Sequence, residues 1–320
     1  MAQHFLLSAK ARTLSLRAVA RMTDEEAHER FKAIRWADNG GEPFCPRCGC
    51  TAIYTYAARC IWKCKACQHQ FSVTSGTIFA SRKLPIRDYL LAIAIFVNGV
   101  KGYSALQLSR DLDVQYKTAF VMAHKIREAI GAEQAAGSLS GVVEIDGAYF
   151  GGHAKQENKK ADRKDRRLAE EQTGKRQSVV TARERGGRTL TTVVAKEADA
   201  IPFVRSVVQP GTTVHADEAA GWDRLHAHYE MRRVNHSVEF KAEDGACTNW
   251  AESFFSRLRR AEWGQHHHIS GRYLAFYARE MAWREDNRRQ PNGSLHEMAT
   301  AAALAHPVSR IWVGYWQRAQ

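Results

Sequence analysis

The spacing of apolar and polar residues changes character along the chain. Between residues 84 and 131, apolar residues recur at helical spacing in three segments, which are separated near Gly99 and again near Asp113. From residue 140 to 290, short continuous apolar runs alternate with amphipathic stretches, a texture typical of alternating strands and helices. The pattern therefore predicts a helical module over 84–131 and an α/β domain over 140–290.

The elements of the α/β domain follow a recognisable order. A strand over GVVEIDGAYFGG precedes a predicted hairpin across Gly186 and Gly187, a helix over AIPFVRSVV, and a strand over GTTVHAD that runs into a further helix. A strand over YEMRRVNHS then leads to a helix over TNWAESFFSRLRR. The order β-β-β-α-β-α-β-α predicts a ribonuclease-H-like mixed sheet with flanking helices.

The last of these helices is sharply amphipathic. At about 3.6 residues per turn, one arc is aromatic and is predicted to pack on the sheet: Trp250, Ala251, Phe254, Phe255 and Leu258. The opposite arc consists of Asn249, Glu252, Ser253, Ser256, Arg259 and Arg260. This polar arc is either a solvated face or one side of a site, and its single carboxylate among cations leaves both interpretations open.

Three carboxylates fall at related places in the predicted fold. Asp146 lies at the predicted end of the first strand, Asp217 at the end of the fourth, and Glu252 on the helix after the fifth. Singly, these residues suit a turn, a helix N-cap and a solvated helix face. Together, their order and basic surroundings favour a site for two divalent cations about 4 Å apart. Mg²⁺ takes oxygen ligands and few of them from protein.

Six of the seven cysteines lie between residues 45 and 67. Cys45 and Cys48 form one CxxC pair, Cys64 and Cys67 form another, and 15 residues separate the two pairs. Four thiolates at this spacing predict a closed, structural zinc site in a ribbon over residues 44–80. Cys50 and Cys60 are alternative ligands, and iron or a redox disulfide are the competing interpretations of the cluster.

The helical module resembles a DNA-binding arrangement. A short helix, a tight turn and a longer helix carrying Lys117, Lys125 and Arg127 outline a helix-turn-helix over 84–131. A three-helix packing unit without DNA contacts has the same pattern, but the zinc ribbon upstream favours DNA binding. Residues 1–43 are predicted to form an N-terminal helical segment, with a helix over 24–43.

The overall charge points to a polyanionic partner. The formal net charge is +13 and the isoelectric point is about 9.5, and such a surface gains affinity for nucleic acid by releasing counterions. The longest apolar run, residues 90–97, is far shorter than the roughly 20 residues that span a bilayer. With no leader sequence in view, we expect a cytoplasmic protein without a membrane partner.

Two further stretches are basic or rich in histidine. Residues 153–177 form a charged insertion in the α/β domain, either a DNA-contacting extension or a solvated linker. His266, His267 and His268 are consecutive, and adjacent residues rarely converge on one ion, so phosphate or structural contacts are favoured over metal. Residues 291–320 are predicted to form a C-terminal packing tail.

The sequence resembles bacterial insertion-sequence transposases with an N-terminal zinc ribbon and an ISXO-two-type DDE domain. The matching segments run in family order from about residue 24 to 290 and include RWADNGGEPFCPRCG, CKACQHQFSVTSGTIF, SALQLSRDLDVQYKTAFVMAHKIREAI, VEIDGAYFGG, HADEAAGW, VNHS, TNWAESFFSRLRR and YLAFYAREMAWREDNRR. The resemblance implies a catalytic core that uses Mg²⁺ or Mn²⁺ to cut and join DNA, with Asp146 and Asp217 as ligands. Gly147 departs from the family, whose members often have an acidic or polar residue there.

The resemblance leaves the third catalytic residue open. Some members of the family have Asn as the third catalytic residue and others have Glu; the matching residues here are Asn249 and Glu252. Arg259 lies where DDE enzymes often carry a basic residue. We favour Glu252, because a carboxylate binds a hard cation better than an amide oxygen does. Asn249, one turn earlier on the same arc, would then orient Glu252, a metal-bound water or a phosphate.

These observations predict a DNA transposase that binds terminal inverted repeats and catalyses strand cleavage and strand transfer. Lys117, Lys125, Arg127, Arg259 and Arg260 are the predicted DNA contacts, and structural Zn²⁺ and catalytic Mg²⁺ or Mn²⁺ are the predicted cofactors. We expect a homodimer or larger homo-oligomer on DNA, associated with the nucleoid when bound. The alternatives are an inactive zinc-ribbon regulator and a ribonuclease-H-like nuclease that cuts without joining.

Overall fold

The computed structural model describes residues 5–151, 158–163, 175–234 and 247–315. The chain divides into two compact units, of which the first comprises residues 1–133 and 287–320 and the second comprises residues 134–286. Most of the predicted charged insertion at 153–177, and the VNHS segment beyond Val234, lie outside the described residues. Within the described ranges, each helix is too short or too polar to cross a membrane.

The regular elements are numbered in chain order. The helices are α1 (Leu16–Ala20), α2 (Asp24–Arg35), α3 (Ile86–Asn98), α4 (Ala105–Asp111), α5 (Tyr116–Ala135), α6 (Ile201–Val207), α7 (Asn249–Ala261), α8 (Gly271–Asp286) and α9 (Asn292–Ala305). The strands are β1 (Ile53–Tyr56), β2 (Ile61–Cys64), β3 (Gln70–Ser72), β4 (Val142–Phe150), β5 (Gln177–Glu184), β6 (Thr189–Val194), β7 (Thr213–Asp217) and β8 (Glu230–Val234). Short 3₁₀ helices include Glu197–Ala200 and Ala220–Ala227.

The first unit contains a small antiparallel sheet, ordered β1-β2-β3, beside helices. Helix α2 begins with a reciprocal capping box between Thr23 and Glu26. It ends at Arg35, eight residues before the predicted end, and Gly40 and Gly41 then adopt positive φ angles of 62° and 85°. Trp36 packs edge-on against Trp62 of β2 at a centroid distance of 5.4 Å, and this contact helps to build the core of the ribbon.

The three predicted helices of the 84–131 module are present as α3, α4 and α5. Ser104 caps α4 by accepting a hydrogen bond from the Gln107 amide, and Asp113 takes a positive φ of 50° in the turn before α5. Helix α3 is nearly all buried, and it packs on α9, which also contacts α2. The helices therefore exist, while a helix-turn-helix role for α4 and α5 stays a prediction.

The second unit is built on a five-stranded mixed sheet with the order β6-β5-β4-β7-β8. Strands β4, β5 and β6 are antiparallel neighbours, whereas β7 runs parallel to β4, and β8 runs parallel to β7. This mixed sheet with flanking helices is compatible with the predicted ribonuclease-H-like fold. The helix predicted to follow β7 is present as a 3₁₀ helix, Ala220–Ala227.

Each face of this sheet carries its own core. Val143, Ile145, Val214 and Ala216 belong to a cluster that includes residues of α6 and the 220–227 helix. Because successive side chains of a strand alternate between faces, the even-numbered residues of β4 point the other way. There Ala148 and Phe150 join a second cluster with buried residues of α7 and α8. The side chains on this second face of β4 and β7 build the site described next.

Candidate functional site

The four cysteines of the two CxxC pairs converge. Their sulfur atoms lie 3.6 Å apart for Cys45–Cys67 and Cys48–Cys64, and 3.5 Å apart for Cys48–Cys67. A tetrahedral Zn²⁺ with Zn–S bonds of about 2.3 Å separates its thiolates by nearly this distance, so the donor set fits zinc. Cys50 and Cys60 instead approach the carbonyl oxygens of Ala52 and Ala57.

Asp146 and Asp217 lie on the same face of adjacent parallel strands. Ile145 of β4 pairs with Ala216 of β7, so the next residue of each strand falls at the point where the two strands stop running side by side. Asp217 ends its strand, as predicted, but Asp146 lies within β4, which continues along β5 to Phe150. The sequence predicted that the strand ends at Asp146, and this is the point where β4 stops pairing with β7.

Both aspartates also make the local hydrogen bonds expected of turn residues. The Gly147 amide donates to Asp146 Oδ1 at 2.7 Å, and the Ala219 amide donates to Asp217 Oδ1 at 3.2 Å. These bonds hold each carboxylate in place at the end of the β4–β7 ladder. The structural roles that the sequence offered as alternatives are thus compatible with a shared site.

The electrostatics of Asp146 show which charges surround it. Burial raises the pKa of Asp146, the Gly147 hydrogen bond lowers it, and the negative charges of Asp217, Glu197 and Glu252 raise it, so that the pKa is about 7. Carboxylates from β4, β7 and α7 therefore act on one another across the sheet face. A hard, oxygen-only donor set with mutual repulsion fits Mg²⁺ or Mn²⁺, which would neutralise the cluster.

Glu252 and Asn249 both lie on the first turn of α7 with exposed side chains. The Thr248 hydroxyl donates to Glu252 Oε1 at 3.5 Å. Glu252 is close enough to raise the pKa of Asp146, which supports it as the third residue. Among the described residues, only the four thiolates converge so tightly that all donor atoms lie within 4.8 Å of one another, so the carboxylate site is more open.

Glu197 is a fourth carboxylate at this site and was not predicted from the sequence. Burial raises the pKa of Glu197, and the charge of Asp217 raises it further. A Cβ atom at Gly147 would lie 2.6 Å from both Cγ and Cδ of Glu197, so any other residue at position 147 would force this side chain to move. The departure from the family pattern at Gly147 was the one feature of the sequence that could have indicated a role for Glu197.

The predicted DNA contacts have different environments. Lys117 is exposed near the start of α5, Lys125 is half-buried, and Arg259 and Arg260 are exposed at the end of α7. Arg127 is fully buried, donates to the Tyr103 carbonyl at 3.1 Å and stacks on Phe96. The prediction of a DNA contact at Arg127 is therefore wrong, because this residue lies on the core-facing stripe of α5.

Two stretches of the chain match family models of transposase domains. Residues 138–286 match the ISXO2-like transposase domain, and residues 22–70 match the transposase zinc-ribbon domain. Both matches are to domains of transposases. It is also similar to a protein of Halobacterium salinarum described as an uncharacterized protein in transposable element ISH50, with 28% identity over 131 residues. That match covers 40% of this chain and 42% of the relative, so the chain spans less than half of that protein's length.

Proposed function

We propose that this transposase cuts DNA at the ends of its element and joins those ends to target DNA. Asp146, Asp217 and Glu252 would hold two Mg²⁺ or Mn²⁺ ions for both steps. The observation that carries the proposal is the convergence of their three charges, from β4, β7 and α7, on one face of the sheet. In-line phosphoryl transfer of this kind needs no covalent protein intermediate.

The chain's own residues would contribute positioning and charge. When bound, the two ions supply an activated oxygen nucleophile and stabilise the leaving oxygen. Asp146 must lose its proton to act as a ligand, and the incoming positive charge favours that loss. Arg259 and Arg260, about two turns beyond Glu252 on the same helix, would hold phosphates of the DNA backbone beside the reacting bond.

DNA recognition would fall to the first unit. The zinc ribbon and the α4–α5 pair would bind the terminal inverted repeats, with Lys117 and Lys125 near the phosphates. The formal net charge of +13 supports a DNA partner. Because two element ends have to be joined to one target, we propose that the active form is a homodimer or larger homo-oligomer.

Joining of pre-cleaved ends tests this proposal. Purified protein would be mixed with Mg²⁺, target plasmid and labelled duplexes that end in the exposed 3′-hydroxyl of the element's own termini. We expect labelled DNA joined to the plasmid, and none with Asp217→Ala. In a parallel reaction with uncut ends, cleavage without any joined product would indicate a nuclease, and a wild-type protein as inert as Asp217→Ala in both reactions would indicate a DNA-binding regulator.

A further inference from the structure

The N-cap residue of helix α7, which carries Glu252, does not cap the helix with its side chain. Thr248 precedes the helix but makes no side-chain capping bond, and its backbone angles of −119° and 22° differ from those of an ordinary N-cap. The amides of the first turn nevertheless have an acceptor. Glu144 Oε2, from strand β4, accepts hydrogen bonds from the Trp250 amide at 2.7 Å and the Ala251 amide at 3.2 Å.

Glu144 is fully buried and held from its other side. Its Oε1 atom accepts a hydrogen bond from Arg185 Nε at 2.8 Å. A second nitrogen of Arg185 lies 3.0 Å from His215 Nδ1, on β7. The carboxylate is therefore fixed between an arginine and a helix N-terminus, whose partial positive charge favours an anion. A buried carboxylate with this many partners keeps one orientation.

Arg183 holds the same turn of α7 through the Trp250 carbonyl. Arg183 is the cross-strand neighbour of Glu144, and its Nη1 atom donates to the Trp250 carbonyl at 2.6 Å. Its guanidinium also lies under the Trp250 ring, 4.9 Å from the centroid, and its Nη2 atom bonds Glu285 of α8 at 2.6 Å. Two buried charged residues thus grip the donor and the acceptor sides of one turn.

These contacts connect strand β4, which carries Asp146, to helix α7, which carries Glu252. Glu144 lies two residues before Asp146 on the same face of β4, and Glu252 follows directly after the two amides that Glu144 binds. We propose that Glu144 and Arg183 are positioning residues, which fix the first turn of α7 so that Glu252 faces Asp146 before metal binds. The inference rests on the proposed metal site and adds to it the residues that preorganise it.

Substitution of Glu144 tests this positioning role through two readouts, the affinity for Mn²⁺ and the rate of amide hydrogen exchange in the first turn of α7. Binding of Mn²⁺ alone would be measured by electron paramagnetic resonance, and amide hydrogen exchange at Trp250 and Ala251 would be measured without metal. We expect Glu144→Ala to weaken Mn²⁺ binding by about 10- to 100-fold and to accelerate exchange of both amides by at least about tenfold. Glu144→Gln, which keeps one oxygen acceptor, should fall between Glu144→Ala and wild type and serves if the alanine variant does not fold.

Arg183→Gln separates positioning from a simple change of charge. Removing a positive charge near a cation site strengthens cation binding if charge alone matters. If Arg183 positions α7, the same substitution weakens Mn²⁺ binding, because the Trp250 carbonyl loses its donor. Glu285 retains Arg257 at 2.6 Å in this variant, so its charge is still paired. Tighter Mn²⁺ binding by Arg183→Gln would overturn the proposal.

Two further proteins complete the comparison. Glu280→Gln breaks another buried ion pair of the second unit, with Arg284 at 2.8 Å, and should bind Mn²⁺ as wild type does. Asp146→Asn should bind Mn²⁺ far more weakly than wild type. If Asp146→Asn loses binding while Glu144→Ala and Glu144→Gln retain wild-type affinity, the positioning inference fails alone. If Asp146→Asn also retains it, the proposed metal site itself fails.

Discussion

Asn249 and Glu252 occupy one face of the first turn of α7, and only Glu252 carries a charge that can meet a hard cation. Its effect on the pKa of Asp146 supports Glu252 as the third ligand. We predict that Glu252→Gln lowers Mn²⁺-dependent cleavage by well over about 100-fold, whereas Asn249→Ala lowers it by about 10- to 100-fold, because an amide that orients a ligand contributes less than the ligand itself. Initial rates at saturating DNA would measure both. The reverse ranking would assign the ligand to Asn249.

The raised pKa of Asp146 predicts a pH dependence. Its carboxyl titrates at a pKa of about 7 in the metal-free protein, and only the ionised form binds a cation. Mn²⁺ affinity should therefore fall about tenfold per pH unit below 7 and level off above it, since one proton is displaced. Isotherms between pH 5.5 and 8 would measure this, and an affinity that does not change with pH would contradict it.

The same group has the opposite effect on folding without metal. The folded state keeps the Asp146 proton up to pH of about 7, while an unfolded chain loses it near about 3.9. The free energy of unfolding should therefore fall as pH rises through that window. Asp146→Asn serves as the control in denaturant titrations, because it should lack this part of the pH dependence.

At the residue scale, the sequence indicated which residues are candidates for the site better than it indicated how buried each residue is and what it contacts. Asp146, Asp217 and Glu252 could be chosen because their order matches strand ends and a helix. Arg127 was misassigned, because a basic residue on a helix gives no sign of which face it occupies until the core is known. Glu144 and Glu197 were missed, because their roles depend on contacts with residues distant in the chain.

At the scale of elements, the zinc ribbon depends on its four-thiolate site. The sheet β1-β2-β3 is small, so much of its folding free energy would come from the metal. We predict that Cys64→Ser abolishes stoichiometric zinc and unfolds the ribbon, while Cys60→Ser leaves one zinc per chain. Atomic absorption on dialysed protein would measure the zinc content. Zinc loss in Cys60→Ser with retention in Cys64→Ser would overturn the ligand assignment.

Helix α5 offers a matched pair of basic residues for DNA binding. Lys117→Ala should weaken binding to element ends and reduce the slope of log affinity against log salt by about 1, as for one lost phosphate contact. Arg127→Met should lower the melting temperature, because the buried guanidinium holds the Tyr103 carbonyl, while folded protein keeps its DNA affinity. Fluorescence anisotropy at several salt concentrations would measure affinity. An unchanged affinity and salt slope in Lys117→Ala would remove α5 from the interface.

Most elements of both units could be predicted from the sequence, whereas their lengths could not. Alternating apolar runs marked each strand, and glycines marked the β5–β6 hairpin. Helix α2 ended early, at Arg35, since Trp36 leaves helical geometry to pack on the ribbon. The segment after β7 formed a 3₁₀ helix, with Asp217 accepting the bond from Ala219 just before it. The packing of Trp36 is a tertiary contact that overrides local helix preference, whereas the Asp217 bond is a local turn bond.

At the scale of the whole molecule, segments from the first 30 residues contact helix α9 within the first unit. Asn292, at the start of α9, accepts hydrogen bonds from the Thr13 and Leu14 amides at 2.9 and 2.8 Å. Arg30 of α2 pairs with Glu297 of α9 at 3.0 Å. The sequence predicted only a packing tail here, because no local pattern records which distant helices a C-terminal helix will contact.

The central claim for the whole molecule is metal-dependent DNA cleavage by the carboxylates on the β4, β7 and α7 face. The most direct measurement is nicking of a labelled duplex that spans one end of the element, with Mg²⁺ or with chelator. We predict a cut at the element boundary with wild-type protein and Mg²⁺, none with chelator, and none with Asp146→Asn, whose zinc content stays normal. Equal cleavage by wild type and Asp146→Asn would contradict the account.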